Sequence, residues 1–524
     1  MTSDKRGFEA TVRGAERFAR ESPQAYQIAV AALASLGYVF ITVVISASLA
    51  LLGGLIFGMF SMVTVLKQSP AAAINLGRVV VPVLLAVFGF LGSVLKSLWV
   101  KIPAPEGPEL TRETAGRLFL FLDDISKSLR APRFNTLLLS DDFTAAVVQV
   151  PMFGIMGPTR NYLILGLPLM KALTREQFRA VVAHELGHIS GNHSRFAGWI
   201  YRQRTTWLNI LTEVRHNWVF TPFLSWYAPY FFAYTFVLAR SDEFISDKCG
   251  AELAGAGVMA EALVATVLQR RYLEEKLWPS ILSQCEYEHS PVGSPFSTMF
   301  RFDKVAGPAP DEATTWLMQA YMERTQVDDT HPSLADRLSA LGFRGVPAGP
   351  LDPPKPPLPP PPPMEKSAAD ELLGPYNDRL SAVMDAEWRK SITPAWREGH
   401  TEARRQRQRF DLLGETISSR SLSLDEMCEL VHLVERFEGL QAAVPHARAL
   451  SQQQLRSAKA QAIAGLVLLR SGDTAGIPIL ESAGALDPAI RHSTHTAIVE
   501  LLKSQGKFLE AHKYDLRSKD PLRR

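Results

Sequence analysis

The stretch His184-Glu185-Leu186-Gly187-His188 decides how the centre of this chain folds. Residues four apart lie on the same face of a helix, so both imidazoles can reach one metal ion. Glu185 lies beside them, where its carboxylate can act as a general base toward water. We therefore interpret the stretch as part of a metal-binding helix. The alternative interpretation is a chance match on a buried helix.

The residues around this stretch predict the helix independently. Thr174 is followed three residues later by Gln177, which is a capping-box pattern. Gly191-Asn192 predicts the end of the helix. The apolar positions between these signals recur with helical spacing and form one face: Phe178, Val181, Val182, Leu186 and Ile189.

A catalytic zinc site needs three protein ligands besides water, so a third ligand must come from elsewhere. The extended metzincin pattern HExxHxxGxxH would supply it, and Gly191 fits that pattern. The position of the third His is Ser194, however, and His193 is one residue early. The metzincin interpretation fails at this position.

The other source of a third ligand is a carboxylate on a later helix. Glu243 and Asp247 are four residues apart and share a helix face. Glu243 can bind the metal, and Asp247 can accept a hydrogen bond from the free ring nitrogen of a ligand His. A solvated acidic patch near Arg240 remains the alternative.

Three motifs in this order resemble the HtpX and CAAX-prenyl-protease group of membrane zinc endopeptidases. They are the HELGH stretch, the segment 241–247 with Glu243 and Asp247, and His331-Pro332 with Arg337 soon after. The resemblance covers roughly residues 105–345 and implies a gluzincin fold. It also implies one Zn²⁺ per chain, Glu243 as the third ligand and Asp247 behind the ligands.

His331 is the best candidate for stabilising the oxyanion, because it opens a His-Pro motif far from the zinc helix. Its alternative role is a structural hydrogen bond near the start of a helix. We place Arg337, like Asp247, behind the zinc ligands. The alternative is a simple pair between Asp336 and Arg337 that braces the same helix.

The region 105–170 has an α+β pattern, with a helix predicted over Thr111–Arg130 and short strands at 136–139, 145–150 and 161–167. An edge strand beside a zinc helix can pair with an extended substrate. Relatives often have Asn-Ala-Phe-Ala before this edge strand, whereas this chain has Phe143-Thr144-Ala145-Ala146. We predict that five residues pair with substrate: Asn161, Tyr162, Leu163, Ile164 and Leu165.

Two long uncharged runs, 28–66 and 79–95, predict membrane spans, since about 20 apolar residues cross a bilayer. We favour two spans over three, with the first run either one helix or a pair broken at Gly53-Gly54. Basic residues of the N-terminal tail favour a cytoplasmic N-terminus. Two spans then return the catalytic part to the cytoplasmic side of a bacterial-type inner membrane.

The uncharged, aromatic run 218–239 has the hydropathy of a span. A single crossing here would put a bilayer between His188 and Glu243, which must meet at one metal ion. We therefore interpret the run as a helix that dips into the membrane interface or roofs the cleft. An ordinary buried helix leading to Glu243 is the alternative.

The overall composition limits the function classes. A net charge of only +3 over 524 residues gives no electrostatic case for nucleic acid as a partner. The three cysteines are far apart in the sequence and form neither a disulfide framework nor a Cys-rich zinc cluster.

The C-terminal part changes character after a proline-rich run. Residues 347–363 predict an extended polyproline linker. Beyond it, Gly439, Gly472 and Gly506 recur at intervals of 33 and 34 residues within helical sequence. This period is similar to that of tetratricopeptide repeats, and a plain helical bundle is the alternative.

Together these patterns predict a mainly α protein with an α+β catalytic core. The predicted function is a membrane-anchored zinc endopeptidase for quality control or processing of membrane proteins, with protein or peptide substrates, the lipid bilayer and protein partners of the repeats. Its rivals are a catalytically weak scaffold that binds proteins through the repeats, and a non-proteolytic zinc hydrolase. The predicted regions are a tail at 1–27, spans within 28–100, a peptidase domain at 101–345, a linker at 346–365 and a tetratricopeptide-like region at 366–524.

Overall fold

A computed structural model gives the fold, which is mainly helical: 74% of it is helix, beside one small sheet. The chain forms two compact units. The first contains residues 1–266, 323–343 and 364–377, and the second contains the rest. The structure describes residues 2–66, 70–98, 104–153, 156–190, 200, 204, 207, 221–300, 307–326, 329, 331–346, 355–362, 364–504, 507, 510–511 and 514–515.

The first unit begins with three helices: α1 (Thr2–Glu21), α2 (Pro23–Leu66) and α3 (Pro70–Leu98). Helix α2 is continuous through Gly53-Gly54, so the first apolar run is one helix and not a broken pair. A glycine costs a helix only about 1 kcal/mol relative to Ala, which is less than the cost of leaving backbone groups unpaired in apolar surroundings.

Helix α2 is the one helix among the described residues that is long and apolar enough to cross a membrane, over Pro23–Phe60. Only 22% of its most apolar window is buried, whereas the core helix of a soluble protein would be mostly buried. The second predicted span corresponds to a shorter apolar helical stretch, Arg78–Gly92, within α3. The predicted number of two spans therefore stays a prediction.

A four-stranded sheet follows, with strand order β1-β2-β4-β3. Its strands are β1 (Glu109–Leu110), β2 (Thr136–Ser140), β3 (Ala145–Phe153) and β4 (Met156–Gly166). β2 is parallel to β4, and β3 and β4 form an antiparallel pair. The strands predicted at 136–139 and 145–150 are present, and β4 is longer than its predicted 161–167 at the N-terminal end because it pairs with β3.

The next helices of the first unit are α4 (Gly116–Ser128), α5 (Leu167–Ala172) and α6 (Arg175–Gly187), which carries His184. Helix α5 contacts β4, α6 contacts β3, and α4 packs against α6. Leu167 begins α5 instead of ending a strand, since Pro168 at the first turn fits a helix start. The helix predicted over Thr111–Arg130 begins only at Gly116, because the preceding residues form a turn in which Ala115 N–H donates to Thr111 O.

A long helix, α7 (Thr221–Ala254), carries both the aromatic run and Glu243. Its inward side chains share one apolar cluster with α1 and α2, while Trp226 and Tyr230 are exposed. The membrane-interface interpretation and the buried-helix alternative both stay predictions. Pairing residues show that α7 and α2 are antiparallel: Phe223 stacks on Phe40, and the Tyr227 hydroxyl donates to Leu33 O. The part of the predicted 218–239 run before Thr221 lies outside the described residues.

Shorter helical elements follow α7 in the sequence, between residues 256 and 373. They are α8 (Ala256–Tyr272), a π-helical turn (Leu273–Leu277), α9 (Trp278–Leu282), a 3₁₀ turn (Ser283–Glu286), α10 (Pro295–Thr298), α11 (Pro310–Met322), α12 (Leu334–Ala340) and α13 (Ala368–Leu373). Within the first unit, α13 packs against α4, α5 and α6.

Most of the second unit consists of long helices, from α14 (Pro375–Ser419) onward. The next helices are α15 (Leu424–Glu438), α16 (Leu440–Gln453), α17 (Ala458–Arg470), α18 (Gly476–Leu486) and α19 (Arg491–Ser504). Before them, Val346 and Lys355 form two backbone hydrogen bonds of 3.1 Å. Residues 347–354 of the predicted linker lie outside the described residues, and the linker stays a prediction.

The recurring glycines mark the turns inside helix pairs. Gly439 separates α15 from α16, and Gly472 lies between α17 and α18, with φ of 94° and 87°. Glycine suits such left-handed backbone because it has no Cβ. Helices α15 to α17 share one apolar cluster. Gly506 lies outside the described residues, and the assignment to tetratricopeptide repeats stays a prediction.

Candidate metal centre and active site

The predicted capping box starts the zinc helix. Thr174 is the N-cap of α6; its hydroxyl accepts from Gln177 N–H, and the Gln177 side chain accepts from Thr174 N–H. The helix ends at Gly187, and His188 is its C-cap residue in right-handed helical conformation. The predicted end at Gly191-Asn192 lies outside the described residues. Both imidazoles therefore lie at the C-terminal end of a fixed helix.

Two glycines let α6 and α7 approach each other closely. A Cβ added at Gly187 would lie 3.2 Å from the backbone of Ser246, and one at Gly250 would lie 2.8 Å from Ala180 O. Any larger residue at Gly250 would collide with the backbone of α6. The close approach brings the carboxylates of α7 to the histidines of α6.

Three side chains converge at this crossing: His184, His188 and Glu243. The two Nε2 atoms are 3.2 Å apart, and the Glu243 carboxylate oxygens lie 3.6 Å from His184 Nε2 and 3.5 Å from His188 Nε2. Tetrahedral zinc with bonds of about 2.0–2.1 Å places its ligand atoms about 3.3 Å apart. Glu243 is itself buried, 5% exposed. The donor set and the spacing both fit one zinc ion.

Each histidine has its own carboxylate on the side away from this cluster. His184 Nδ1 lies 2.9 Å from Asp247 Oδ1, and His188 Nδ1 lies 2.9 Å from Asp242 Oδ2. A carboxylate at Nδ1 holds the tautomer that presents Nε2 to a metal. The contact of Asp247 follows the sequence-based expectation. Asp242 was not anticipated, although it is the acidic residue next to Glu243.

Arg337 lies behind the cluster and contacts Asp247 twice. Its Nε and Nη2 donate to the two oxygens of Asp247 at 2.8 Å and 2.5 Å. Asp336 instead accepts a hydrogen bond of 2.6 Å from the Thr325 hydroxyl. The structure brings Arg337 to Asp247, and the ion pairs of the described residues do not include Asp336 with Arg337.

His331 joins the cluster from the segment before α12. Its Nδ1 lies 3.1 Å from Glu243 Oε2, and its side chain is 71% exposed. The contact with Glu243 raises the pKa of His331, which favours the ring form with two N–H donors. An exposed donor beside a metal ligand is suited to contact a bound substrate.

The pKa values of the two glutamates of the site, Glu185 and Glu243, are shifted in opposite directions. Burial of the Glu185 carboxyl raises its pKa, although the charges of His184 and His188 oppose this. Burial also acts against ionisation of Glu243, but the nearby His331 and the two other imidazoles outweigh it and lower the pKa of Glu243 to about 2. Glu243 is therefore ionised, as a zinc ligand must be. The raised pKa of Glu185 suits a group that accepts and returns a proton during catalysis.

The predicted substrate strand is wrong as an edge strand. All five residues, Asn161, Tyr162, Leu163, Ile164 and Leu165, lie in β4, which is the central strand between β2 and β3. Residues 162–165 pair with 136–139 of β2 on one side, and residues 161–165 pair with 145–149 of β3 on the other. Their backbone groups are engaged in the sheet, so no substrate strand can be added there. Among the described residues, β3 is the edge strand on this side of the sheet.

A family comparison agrees with this site. The model of peptidase family M48 matches residues 152–344. This match is consistent with the resemblance to the HtpX and CAAX-prenyl-protease group of zinc metallopeptidases. The matched range includes His184, Glu185, His188, Glu243 and His331. No curated protein sequence matches the chain.

The M48 domain makes this chain a zinc metallopeptidase, a hydrolase that acts on protein or peptide substrates. Zinc is the metal of this family, and the His-His-Glu group lies where one ion can bind. The helices α1 and α2 precede the matched range, and the helices from α14 onward follow it. More than half of the chain therefore lies outside the family domain.

Proposed function

We propose that this chain is a membrane-anchored zinc endopeptidase that cleaves extramembrane segments of membrane proteins, in quality control or processing. The observation that carries the proposal is the position of the His-His-Glu cluster relative to α2. The cluster lies on α7 and α6, and α7 packs directly against the first half of α2. The second half of α2 exposes large apolar side chains, among them Ile56, Phe57 and Phe60.

The roles of the side chains follow from their positions. Zinc, when bound, supplies a Lewis acid that polarises the scissile carbonyl and acidifies water. Glu185 accepts a proton from the attacking water at its carboxylate and donates it to the leaving amine. His331 donates a hydrogen bond to the oxygen of the scissile carbonyl as negative charge develops there. Asp247, Asp242 and Arg337 hold the two ligand histidines in position.

We assign substrate binding to the edge of β3. The strand is antiparallel to β4, its residues 145–150 are half-buried, and it contacts α6. An extended peptide that pairs with this edge would lie beside the zinc helix and continue the sheet by one strand. Backbone pairing accepts many sequences, as an endopeptidase of broad specificity requires.

The primary experiment measures zinc and hydrolysis together in the detergent-solubilised full-length protein. We expect about one zinc per chain and hydrolysis of casein. Glu243→Gln should lower zinc content severely because it removes the anionic ligand. Glu252→Gln is the matched control, since Glu252 lies on the same helix with its side chain 65% exposed. Full zinc occupancy and activity in Glu243→Gln would refute the third ligand, and zinc binding without hydrolysis would favour the scaffold.

The orientation in the membrane has its own test. With two spans and a cytoplasmic N-terminus, tags before Thr2 and after Arg524 should both resist external protease in intact cells. A tag in 347–363 should also be protected, whereas a tag near Ser69 should be cleaved. Cleavage of the linker tag would mean that the catalytic part faces outward and that the proposed orientation is wrong.

A further inference from the structure

One buried guanidinium, that of Arg240, connects α1 to the chain that leads into His331. Arg240 is 8% exposed and lies one helical turn before Glu243 on α7. Its Nε donates to Asp329 O at 2.8 Å, and its Nη2 donates to Gln326 O at 2.7 Å. Its Nη1 donates to Glu16 Oε1 of α1.

These three bonds are geometrically linked, because the guanidinium is planar and its N–H groups point in fixed directions. A carboxylate that holds Nη1 also fixes the directions of Nε and Nη2. Asp329 further accepts from Gln326 N–H at 2.6 Å, which ties together the two residues whose carbonyls Arg240 holds. The hydrogen bonds that Arg240 makes to Gln326 and Asp329 therefore depend on the position of Glu16.

Helix α1 is docked by apolar contacts that place Glu16 at Arg240. Val12 and Ala15 are 0% and 1% exposed in the cluster that α1 shares with α2 and α7. Phe8 contacts Phe236 edge-to-face at 6.1 Å between ring centroids. The docked helix α1 thus places the Glu16 carboxylate against the buried Arg240 guanidinium. Without that carboxylate, the positive charge of Arg240 would be less compensated.

We propose that Glu16 and Arg240 are positioning residues for the peptidase reaction: docked α1, through Glu16, orients Arg240, which holds the segment carrying His331 at the metal centre. The inference rests on the proposed role of His331. Helix α1 precedes the M48 range, so this support comes from outside the family domain. Undocking α1 lowers turnover without removing any metal ligand.

The test compares Glu16→Gln with Glu9→Gln. Both glutamates lie on α1, their side chains are 28% and 29% exposed, and each pairs with an arginine four residues later. Only Glu16 also contacts Arg240 among the ion pairs of the described residues. Each substitution therefore removes one surface Glu–Arg pair, and only Glu16→Gln also removes the contact with α7.

For Glu16→Gln we expect kcat about tenfold lower with KM and zinc content unchanged, since a shift of about 1 Å in a positioned group can cost up to 100-fold. Hydrogen exchange should accelerate in peptides containing Gln326 and Asp329 and stay unchanged in peptides of α6. Arg240→Lys keeps the positive charge but loses the guanidinium that donates in three directions. It should show the same lower kcat and the same faster exchange at Gln326 and Asp329. Glu9→Gln should match the wild type in all these measurements.

Equal kcat and equal exchange in Glu16→Gln and Glu9→Gln would overturn the proposal. So would accelerated exchange throughout α6 in Glu16→Gln, because that result means general destabilisation. An inactive wild-type protein would contradict the proposed function instead, and the exchange comparison would still decide whether Glu16 holds the segment.

Discussion

The metal centre and the sheet beside it differ in how their geometry is encoded. At the metal centre, each functional pair is four residues apart on one helix: His184 with His188 on α6, and Glu243 with Asp247 on α7. At the sheet, the outcome depends on which strand pairs with which, and β4 is enclosed by β2 and β3. Helical spacing puts two side chains on one face of a helix without any long-range contact. Which strand lies at the edge of a sheet depends on how all the strands pair.

Substitutions at the metal centre should therefore change kcat and zinc content, whereas substitutions at the sheet edge should change KM. The largest expected effect is on Glu185. In Glu185→Gln the size of the side chain is kept and the base is lost, so kcat should fall by about 10³-fold with zinc retained. Zinc analysis and a peptide-hydrolysis assay measure the two quantities.

Glu176→Gln is the matched control for this substitution. Glu176 lies in the first turn of the same helix and is exposed, so its loss should leave kcat unchanged. Hydrolysis by Glu185→Gln at the wild-type rate would show that another group accepts the proton.

The two carboxylates behind the histidines allow a finer comparison within the metal centre. Asp247 contacts His184 and makes two bonds to Arg337, and its side chain is 1% exposed. Asp242 contacts His188 with one oxygen, while its other oxygen is buried without a partner among the described residues. Asp247→Asn should therefore weaken both zinc binding and folding, and Asp242→Asn should weaken mainly zinc binding.

Zinc affinity should fall by about 100-fold for Asp247→Asn and about tenfold for Asp242→Asn, the range typical of carboxylates that support metal-binding histidines. Competition with a chelator measures the affinity, and thermal unfolding of the metal-free protein measures stability. If Asp242→Asn binds zinc as tightly as Glu252→Gln, the second carboxylate has no part in the metal centre.

The sequence carries enough information for the ligands and too little for their surroundings. The capping box of α6 follows from local preferences, and a local pattern predicts it. The same kind of pattern left open whether α2 continues through Gly53-Gly54. Which carboxylate meets which histidine depends on how α6 and α7 cross, so Asp242 could not be distinguished from a solvated acid. The contact from Glu16 to Arg240 joins residues more than 200 positions apart, and no spacing in the sequence indicates it.

The sheet shows the same limit. A short apolar run predicts that 161–165 is a strand, but the run does not indicate which strands pair with it on either side. The strand order places 161–165 in the centre because β3 folds back on β4 as an antiparallel pair. The role of substrate strand therefore moves to β3, and this reassignment has a test of its own.

The smallest expected effect comes from proline substitutions in β3. Along an edge strand, successive N–H groups point alternately to the paired strand and outward. Of Ala146→Pro and Val147→Pro, one should therefore lose a bond to β4 and the other an outward N–H. The first should lower the melting temperature. The second should keep the fold and zinc, and raise KM about tenfold, a change that corresponds to one lost hydrogen bond.

Proline at Leu163, which is paired on both sides, should instead destabilise the fold. If neither β3 variant raises KM while its fold and zinc are retained, the substrate backbone does not pair with this edge.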